Sequence, residues 1–296
     1  MSIFKGAGVA IVTPFHENLE VNYDKLGELI DDQIARKTDA IIICGTTGES
    51  ATLTMEEHKQ VIKYCVDHTV GRVPVIAGTG SNDTAAAIEL SIQAEKDGAD
   101  ALLIVTPYYN KATQKGLIEH YKLISDAVDI PIIMYNVPSR TGCNILPDTA
   151  VAIARTCKNV VAIKDATGNL AQTTRMAMLA KSDGCLDIYS GEDGLIVPIM
   201  SVGGLGVISV LSNVAPEETH DMVMACLEGD YKKGCELQLK YTPLVDSLFC
   251  EVNPMPVKTA MNLMGMEVGP FRRPMCEMEP KNVERLKADL AAVGLL

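Results

Sequence analysis

The chain has 296 residues, of which 47% are hydrophobic, and its formal net charge is -12. Such a chain can bury one large barrel core or two smaller cores, and it contains no run near the ~18 apolar residues that a membrane span needs. The acidic balance, without any basic stripe, argues against nucleic acid or an anionic membrane surface as a partner.

Strand-like and helix-like segments alternate along the first two thirds of the chain. The strand-like segments are short apolar runs, and helical patterns separate them. One helix start, Thr54-Met55-Glu56-Glu57, has the form of a capping box. The predicted strands cover residues 8–14, 40–44, 73–77, 101–105, 130–135, 160–164, 186–190 and 206–210.

Eight short buried strands separated by helices predict an α/β fold, a parallel (β/α)8 TIM barrel, with a doubly wound sheet as the alternative. Beyond residue 213 the strand pattern stops and a C-terminal helical appendage is predicted. Its helices cover residues 216–229, 231–249, 256–265 and 280–293. We therefore predict a catalytic barrel at residues 1–225 and a C-terminal helical region at residues 226–296.

Polar residues stand at the carboxyl ends of the predicted strands, the face where barrel enzymes carry their active sites. Lys164 ends the sixth strand. Burial disfavours the ammonium form of a lysine, and the neutral amine is the form that attacks carbonyl carbons to make a Schiff base. Tyr135 ends the fifth strand, so it is expected beside Lys164 and able to exchange protons with it. Arg140, in the next loop, offers a fork for a carboxylate.

The segment Gly-Thr-Thr-Gly at residues 45–48 ends the second strand and would turn the N–H groups and hydroxyls of Thr46 and Thr47 toward one point. Such a nest suits a carboxylate. Each feature by itself also has an ordinary explanation: a lysine extending from a strand end, a core tyrosine, a solvated loop arginine and a common Thr-Gly turn.

No metal or nucleotide cofactor is expected. The five histidines lack the spacing of metal ligands, and the glycine-rich segment 78–83 has Asp83 where a dinucleotide fingerprint has its third glycine. An aldol-type reaction without a metal needs another electron sink, and a lysine iminium would supply it.

Three segments together resemble the pyruvate-dependent Schiff-base lyase and synthase family. They are Gly-Thr-Thr-Gly-Glu at 45–49, Tyr-Asn-Val-Pro-Ser-Arg-Thr-Gly at 135–142 and Ile-Lys-Asp-Ala-Thr-Gly at 163–168, and the similarity runs from Gly8 to Lys258. The Ser-Arg-Thr-Gly pattern is most similar to the branch that condenses pyruvate with L-aspartate 4-semialdehyde. Its product is 4-hydroxy-tetrahydrodipicolinate, for lysine and diaminopimelate biosynthesis.

Two other functions stay open at this point. A sister pyruvate-dependent aldolase, such as N-acetylneuraminate lyase or 2-keto-3-deoxygluconate aldolase, shares the lysine and the tyrosine but usually lacks the Ser-Arg-Thr-Gly pattern. The third possibility is a barrel without enzymatic activity that only binds small acids, which the combination of all these residues disfavours.

The resemblance implies how pyruvate is held. Lys164 would form an imine with pyruvate, without any cofactor. Thr47, Gly191 and the backbone at Ile208 would bind the pyruvate.

The resemblance also implies a proton relay and a second binding site. Tyr135 would exchange protons through Thr46 and Tyr109, with Tyr109 supplied across the interface of a tight dimer. Arg140 would bind the carboxylate of aspartate semialdehyde. Members of the family are commonly homotetramers, built as dimers of dimers, so a homo-oligomer of that kind is expected.

Regulation by lysine is expected to be absent. Inhibited members bind lysine at the dimer interface, beside the loop at residues 45–53. This chain has Met55 where regulated bacterial members typically carry a histidine, and Ala86 where they carry the glutamate that pairs with the ammonium group of the inhibitor. The matching positions that it keeps are Ser50, Ala51, His58, Asn82 and Tyr108.

The expected location is the cytoplasm. The first residues lack the charged, apolar and small-residue zones of a signal peptide. The nine cysteines contain no C-x-x-C pair and read as reduced, mostly buried residues.

Overall fold

A computed structural model describes residues 2–296, and its eight parallel strands form a closed barrel in chain order. The first strand pairs with both the second and the eighth, which closes the sheet. The sequence-based prediction of a (β/α)8 barrel is confirmed. The strands are β1 (Gly6–Ala10), β2 (Ala40–Ile43), β3 (Val75–Gly78), β4 (Ala101–Val105), β5 (Ile132–Asn136), β6 (Val160–Asp165), β7 (Asp187–Ser190) and β8 (Gly206–Ser209).

In the described residues, helices separate the strands and four more follow the last strand. The predicted helices are present, with ends shifted by a few residues at most. The predicted capping box at the start of the second helix is confirmed, because Thr54 and Glu57 bond each other's backbone N–H groups. The helices are α1 (Tyr23–Ala35), α2 (Met55–Thr69), α3 (Thr84–Lys96), α4 (Gln114–Ala127), α5 (Pro138–Thr141), α6 (Pro147–Thr156), α7 (Leu170–Ala180), α8 (Ile196–Ser201), α9 (Pro216–Leu227), α10 (Tyr231–Leu248), α11 (Met255–Leu263) and α12 (Pro280–Val293).

The first strand was predicted too far along the chain. It was expected at residues 8–14, but it begins at Gly6, which pairs with Gly206 to close the barrel. Gly6 has φ of +121°, a conformation that favours glycine. In a sequence pattern such a glycine is interpreted as a break in the strand, so the predicted strand began after it. At the other end, Pro14 has no N–H to donate, and the N–H of Phe15 bonds the carbonyl of Val268 in the C-terminal region.

The barrel interior is a packed core at its lower end, where the strands begin. The rings of Phe4 and Tyr189 stack with centroids 4.4 Å apart, and the Tyr189 hydroxyl donates to the carbonyl of Phe4 at 2.7 Å. Ile42, Leu103 and Ile133 fill the space above them. Because this end is filled, the polar side chains at the carboxyl ends of the strands surround the open end.

The C-terminal helices pack on the barrel and on one another. α9 contacts β1 and β8, α10 packs against α9, and α12 contacts both α10 and α11. The predicted boundary between the catalytic barrel and the C-terminal helical region, at residues 225 and 226, lies inside α9, and this division stays a prediction. Within residues 2–296, none of the helices combines the length and the apolar character needed to cross a membrane.

Candidate active site

The register of β5 and β6 places Tyr135 directly beside Lys164. The Lys164 Nζ atom lies 4.3 Å from the centroid of the Tyr135 ring. Both side chains are buried, with 6% and 7% of their surface exposed. The sequence-based expectation that the two residues are neighbours is confirmed.

Gly191, just after β7, lies against the Lys164 side chain. A Cβ atom at this position would stand 2.9 Å from Lys164 Cγ and 3.0 Å from Lys164 Cε, closer than carbon atoms normally approach. Any other residue at position 191 would therefore displace the Lys164 side chain, so the glycine leaves the space that this side chain occupies.

The loop after β2 holds Thr46 and Thr47 between two residues in the left-handed conformation, Cys44 (φ +55°) and Glu49 (φ +52°). The Thr13 hydroxyl donates to the carbonyl of Gly48 at 2.7 Å, which attaches this loop to the segment that follows β1. Thr47 is buried, and Thr46 is half-buried. The two threonines therefore have different surroundings.

A cavity of about 310 Å³ opens at the carboxyl ends of β5, β6 and β7, and we call it the catalytic cavity. Five of the eight predicted site residues line it: Thr47, Tyr135, Arg140, Lys164 and Gly191. The cavity is also lined by residues that were not among the predicted site residues, including Glu192, Phe249, Glu251, Val252 and Asn253.

Arg140 is exposed, although it lines the catalytic cavity. It lies on the single turn α5, and its guanidinium donates through Nη2 to the backbone carbonyl of Asn253 at 3.0 Å. A guanidinium has five N–H donors, so four remain for a ligand in the cavity that Arg140 lines.

The remaining three predicted residues lie outside the catalytic cavity. Thr46 lines a neighbouring cavity, described below. Ile208 is buried in β8 and pairs with Gly8. Tyr109, in the loop after β4, is 91% exposed, has φ of +71° and does not line the catalytic cavity of its own chain.

Asn253 connects two of the predicted binding residues, Thr47 and Arg140, and was not itself among the predicted site residues. Its Nδ2 donates to the Thr47 hydroxyl oxygen at 3.0 Å, while its carbonyl accepts from Arg140. Because an amide nitrogen only donates, the Thr47 oxygen accepts, and its own proton is free to donate to a bound ligand. The sequence signal that could have pointed to Asn253 is the segment Asn-Pro-Met-Pro-Val-Lys at residues 253–258, which lies inside the part of the chain that resembles the family.

Two carboxyl groups follow β7 close to Lys164. Burial and the neighbouring charge of Asp193 raise the pKa of Glu192, and the charge of Lys164 partly offsets this. Burial also raises the pKa of Asp193, although its Oδ2 accepts from the N–H groups of Val210 and Leu211. Asp193 thereby fixes the turn after β8, whereas Glu192 faces the catalytic cavity.

Comparison with known proteins shows the family of the chain. The model of the dihydrodipicolinate synthetase family matches residues 3–293. The chain belongs to this family. It is 61% identical to the 4-hydroxy-tetrahydrodipicolinate synthase of Lachnoclostridium phytofermentans, over 100% of both chains.

Solved structures of family members have the same fold. The dihydrodipicolinate synthase of Aquifex aeolicus is 46% identical, with a TM-score of 0.95 over 99% of each chain. The chloride-inhibited dihydrodipicolinate synthase of Acinetobacter baumannii, solved in complex with pyruvate, is 42% identical, with a TM-score of 0.95 over 100% of each chain.

A second cavity, of about 460 Å³, lies beside the catalytic cavity, and we call it the side cavity. Arg140 and Asn253 line both cavities. Among residues 2–296, Glu49 is the one carboxylate that lines the side cavity, and it is paired with Lys258. The side cavity brings together six of the positions assigned to lysine inhibition, Ser50, Ala51, Met55, His58, Ala86 and Tyr108, but not Asn82.

Histidines and acidic residues do not gather into a metal centre in the part of the chain that the structure describes, residues 2–296. His58 is one example. Its Nε2 lies 2.7 Å from the carbonyl of Gly78, and burial lowers its pKa. The ring therefore has a structural contact inside the side cavity.

Proposed function

We propose that this chain condenses pyruvate with L-aspartate 4-semialdehyde to give 4-hydroxy-tetrahydrodipicolinate, through an imine on Lys164. Full-length identity to relatives of this name supports the reaction. The observation that carries the mechanism is the buried contact between Lys164 and Tyr135, in a cavity that also contains Thr47 and Arg140.

The first stage of the proposed mechanism joins pyruvate to the protein. The Lys164 amine attacks the ketone carbon, water leaves, and an iminium forms. The Tyr135 hydroxyl exchanges protons with the amine and the departing oxygen, since its ring lies against Lys164. The Thr47 hydroxyl, whose oxygen already accepts from Asn253, donates its proton to the pyruvate carboxylate. Loss of a methyl proton then gives an enamine.

The second stage joins the two substrates. Arg140, at the cavity mouth, binds the carboxylate of aspartate semialdehyde, and the enamine carbon attacks the aldehyde to form the new carbon–carbon bond. The aldehyde oxygen takes up a proton and becomes a hydroxyl. The amine of the second substrate then attacks the imine carbon, and the bond to Lys164 breaks as the ring closes.

The iminium accepts the electron pair that is released when the methyl proton leaves, so we propose that the reaction uses no cofactor. We also propose that the protein works in the cytoplasm as a homotetramer, a dimer of dimers. The exposed Tyr109 supports this assembly, because a side chain that does not line its own catalytic cavity is available to the site of a neighbouring subunit.

A coupled assay with pyruvate and aspartate semialdehyde tests the function. We expect turnover with this pair and none in retro-aldol assays with N-acetylneuraminate or 2-keto-3-deoxygluconate. In Arg140→Ala, kcat/KM for aspartate semialdehyde should fall roughly 10- to 100-fold, about 1.4–2.8 kcal/mol for a lost charge-assisted bond. The KM for pyruvate should stay within about twofold, because Arg140 belongs to the second stage.

The matched control for this test is Arg175→Ala. Arg175 is an exposed arginine on α7 that pairs with Asp148, away from the catalytic cavity. It should leave both constants unchanged. Cleavage of a sugar acid without condensation would contradict the proposed function, and an equal loss for both substrates in Arg140→Ala would contradict the role of Arg140.

Hybrid dimers test whether Tyr109 acts in the neighbouring subunit. Tyr109→Phe and Lys164→Ala chains should each be strongly impaired alone. When they are mixed, activity should return, because one of the two sites in each hybrid receives an intact lysine and an intact tyrosine. The measurement is turnover after subunit exchange, with hybrid content verified by mass spectrometry.

The matched control mixes the wild-type chain with the double variant Tyr109→Phe/Lys164→Ala. If Tyr109 acts across the interface, both sites of this hybrid lack one group and the hybrid is impaired. If it acts within its own chain, the wild-type site keeps its activity and the mixture of single variants recovers nothing. That second pattern is the one that would overturn the proposed sharing.

We predict that millimolar L-lysine leaves the rate almost unchanged. The side cavity has Ala86 and Met55 at two positions expected to contact the inhibitor, and its one described carboxylate, Glu49, is engaged by Lys258. Loss of a partner for a buried charge weakens binding by about 2–5 kcal/mol, or roughly 30-fold to several thousand-fold. The measurement is an inhibition curve at saturating substrates.

A gain-of-function variant sharpens this prediction. Ala86→Glu/Met55→His should introduce inhibition by lysine, while Ala86→Gln/Met55→His, which has the same shape without the charge, should not. Inhibition of the unmodified protein with a midpoint below about 1 mM, near 4 kcal/mol of binding free energy, would show that lysine is recognised by other groups.

A further inference from the structure

Lys258 is a charged residue of α11 that no step of the proposed mechanism uses. Its side chain is completely buried, with 0% of its surface exposed. The Nζ atom donates to the Glu49 carboxylate at 2.8 Å, to the carbonyl of Thr13 at 3.2 Å and to the carbonyl of Pro270 at 2.6 Å. All three N–H donors of the ammonium group therefore have partners, each from a different part of the chain.

Glu49 joins this ammonium to the loop that carries Thr46 and Thr47. Its Oε1 accepts from Lys258, and its Oε2 accepts from the backbone N–H of Arg272 at 3.1 Å. Glu49 lies two residues after Thr47 and adopts the left-handed conformation, so holding its side chain also fixes the direction of the loop. We call the bonds around Lys258 and Glu49 the loop anchor.

The segment that follows β1 strengthens the loop anchor through Thr13 and Phe15. Lys258 bonds the Thr13 carbonyl, and the Thr13 hydroxyl bonds the Gly48 carbonyl. The Lys258 ammonium also lies 4.5 Å from the centroid of the Phe15 ring. A cation over an aromatic face is held in a narrow range of positions. The loop after β2 is thereby fixed against both the barrel rim and α11.

A second attachment runs from just before α11 to the same loop, through the amide of Asn253 and the Thr47 hydroxyl. Lys258 on α11 and Asn253, two residues before α11, therefore hold the segment from Thr47 to Glu49 at both of its ends. A movement of α11 relative to the barrel would move the Thr47 hydroxyl away from Lys164.

Stability alone does not explain a buried ion pair at this position. Desolvation of two charges offsets most of their attraction, and a well-packed apolar pair is often as stable or more stable. Here burial lowers the pKa of Lys258, opposed by the charge of Glu49, which shows the cost of the arrangement. An apolar pair would not supply the directed hydrogen bonds that Lys258 makes to two backbone carbonyls and one carboxylate.

We propose that Lys258 is a positioning residue for pyruvate, acting through Glu49 to hold Thr47 at the distance from Lys164 that a bound carboxylate requires. This inference rests on the proposed function, in which Thr47 binds the pyruvate carboxylate. Lys258 does not contact the substrate.

The test compares variants that separate stability from position. Lys258→Met leaves the buried Glu49 carboxylate without its ammonium partner, with only the Arg272 N–H still bonded to it, and should lower both thermal stability and activity. Glu49→Gln/Lys258→Met removes both charges, so most of the thermal stability should return. Its KM for pyruvate should nevertheless remain at least about tenfold above the wild-type value, with kcat and the KM for aspartate semialdehyde within about threefold, because methionine cannot donate the three hydrogen bonds.

Glu49→Gln alone is the milder variant, and it decides the outcome if the double variant does not fold. Its side chain can still accept from Lys258 but presents an N–H₂ group toward the Arg272 N–H, so the pyruvate KM should rise about three- to tenfold. The matched control is His220→Gln, which disturbs a 2.7 Å contact with Asp39 at the opposite end of the barrel. It should lower the melting temperature without changing the pyruvate KM.

Wild-type turnover is measured first, and its absence would contradict the proposed function itself. If the wild-type chain is active and a folded Glu49→Gln or double variant has the wild-type pyruvate KM, the anchor is only structural and the positioning role is wrong. An equal rise in both KM values in the double variant would also overturn it.

Discussion

The site depends on the register between β5 and β6, which fixes Tyr135 opposite Lys164. In a closed barrel this register cannot slip without moving every neighbouring strand, so the contact between the amine and the ring is held by the whole sheet. Gly191 at the end of β7 limits the lysine from the other side. The reactive group is thus confined by three consecutive strand ends, while the residues proposed to bind substrates lie on loops.

The C-terminal helices complete the site that the barrel begins. Four residues between α10 and α11 form one wall of the catalytic cavity: Phe249, Glu251, Val252 and Asn253. Arg272 bonds the Glu57 carboxylate at the start of α2 and holds the pKa of Glu57 at about 2. It also bonds the carbonyls of Leu19 and Thr52, in the loops after β1 and β2. The helical region is therefore packed where it can fix the loops that bind substrates.

The sequence predicted the barrel and five of the residues that line the catalytic cavity, because strands and their polar ends are local patterns. Tyr135 beside Lys164 followed from strand order alone. The contacts of Asn253 and Lys258 could not be predicted this way, since their partners Thr47 and Glu49 lie 206 and 209 residues away. Tyr109 shows another limit: its exposure depends on a left-handed backbone that no residue pattern near it indicates.

The central claim is that the amine of Lys164 forms the imine, and reductive trapping tests it most directly. Borohydride would reduce a pyruvate imine to a stable secondary amine, and peptide mapping by mass spectrometry then locates the modified lysine. The account predicts one pyruvate-derived adduct per chain, on Lys164, and none on the deeply buried Lys258 or in Lys164→Ala. An adduct on a different lysine, or no adduct in an active preparation, would contradict it.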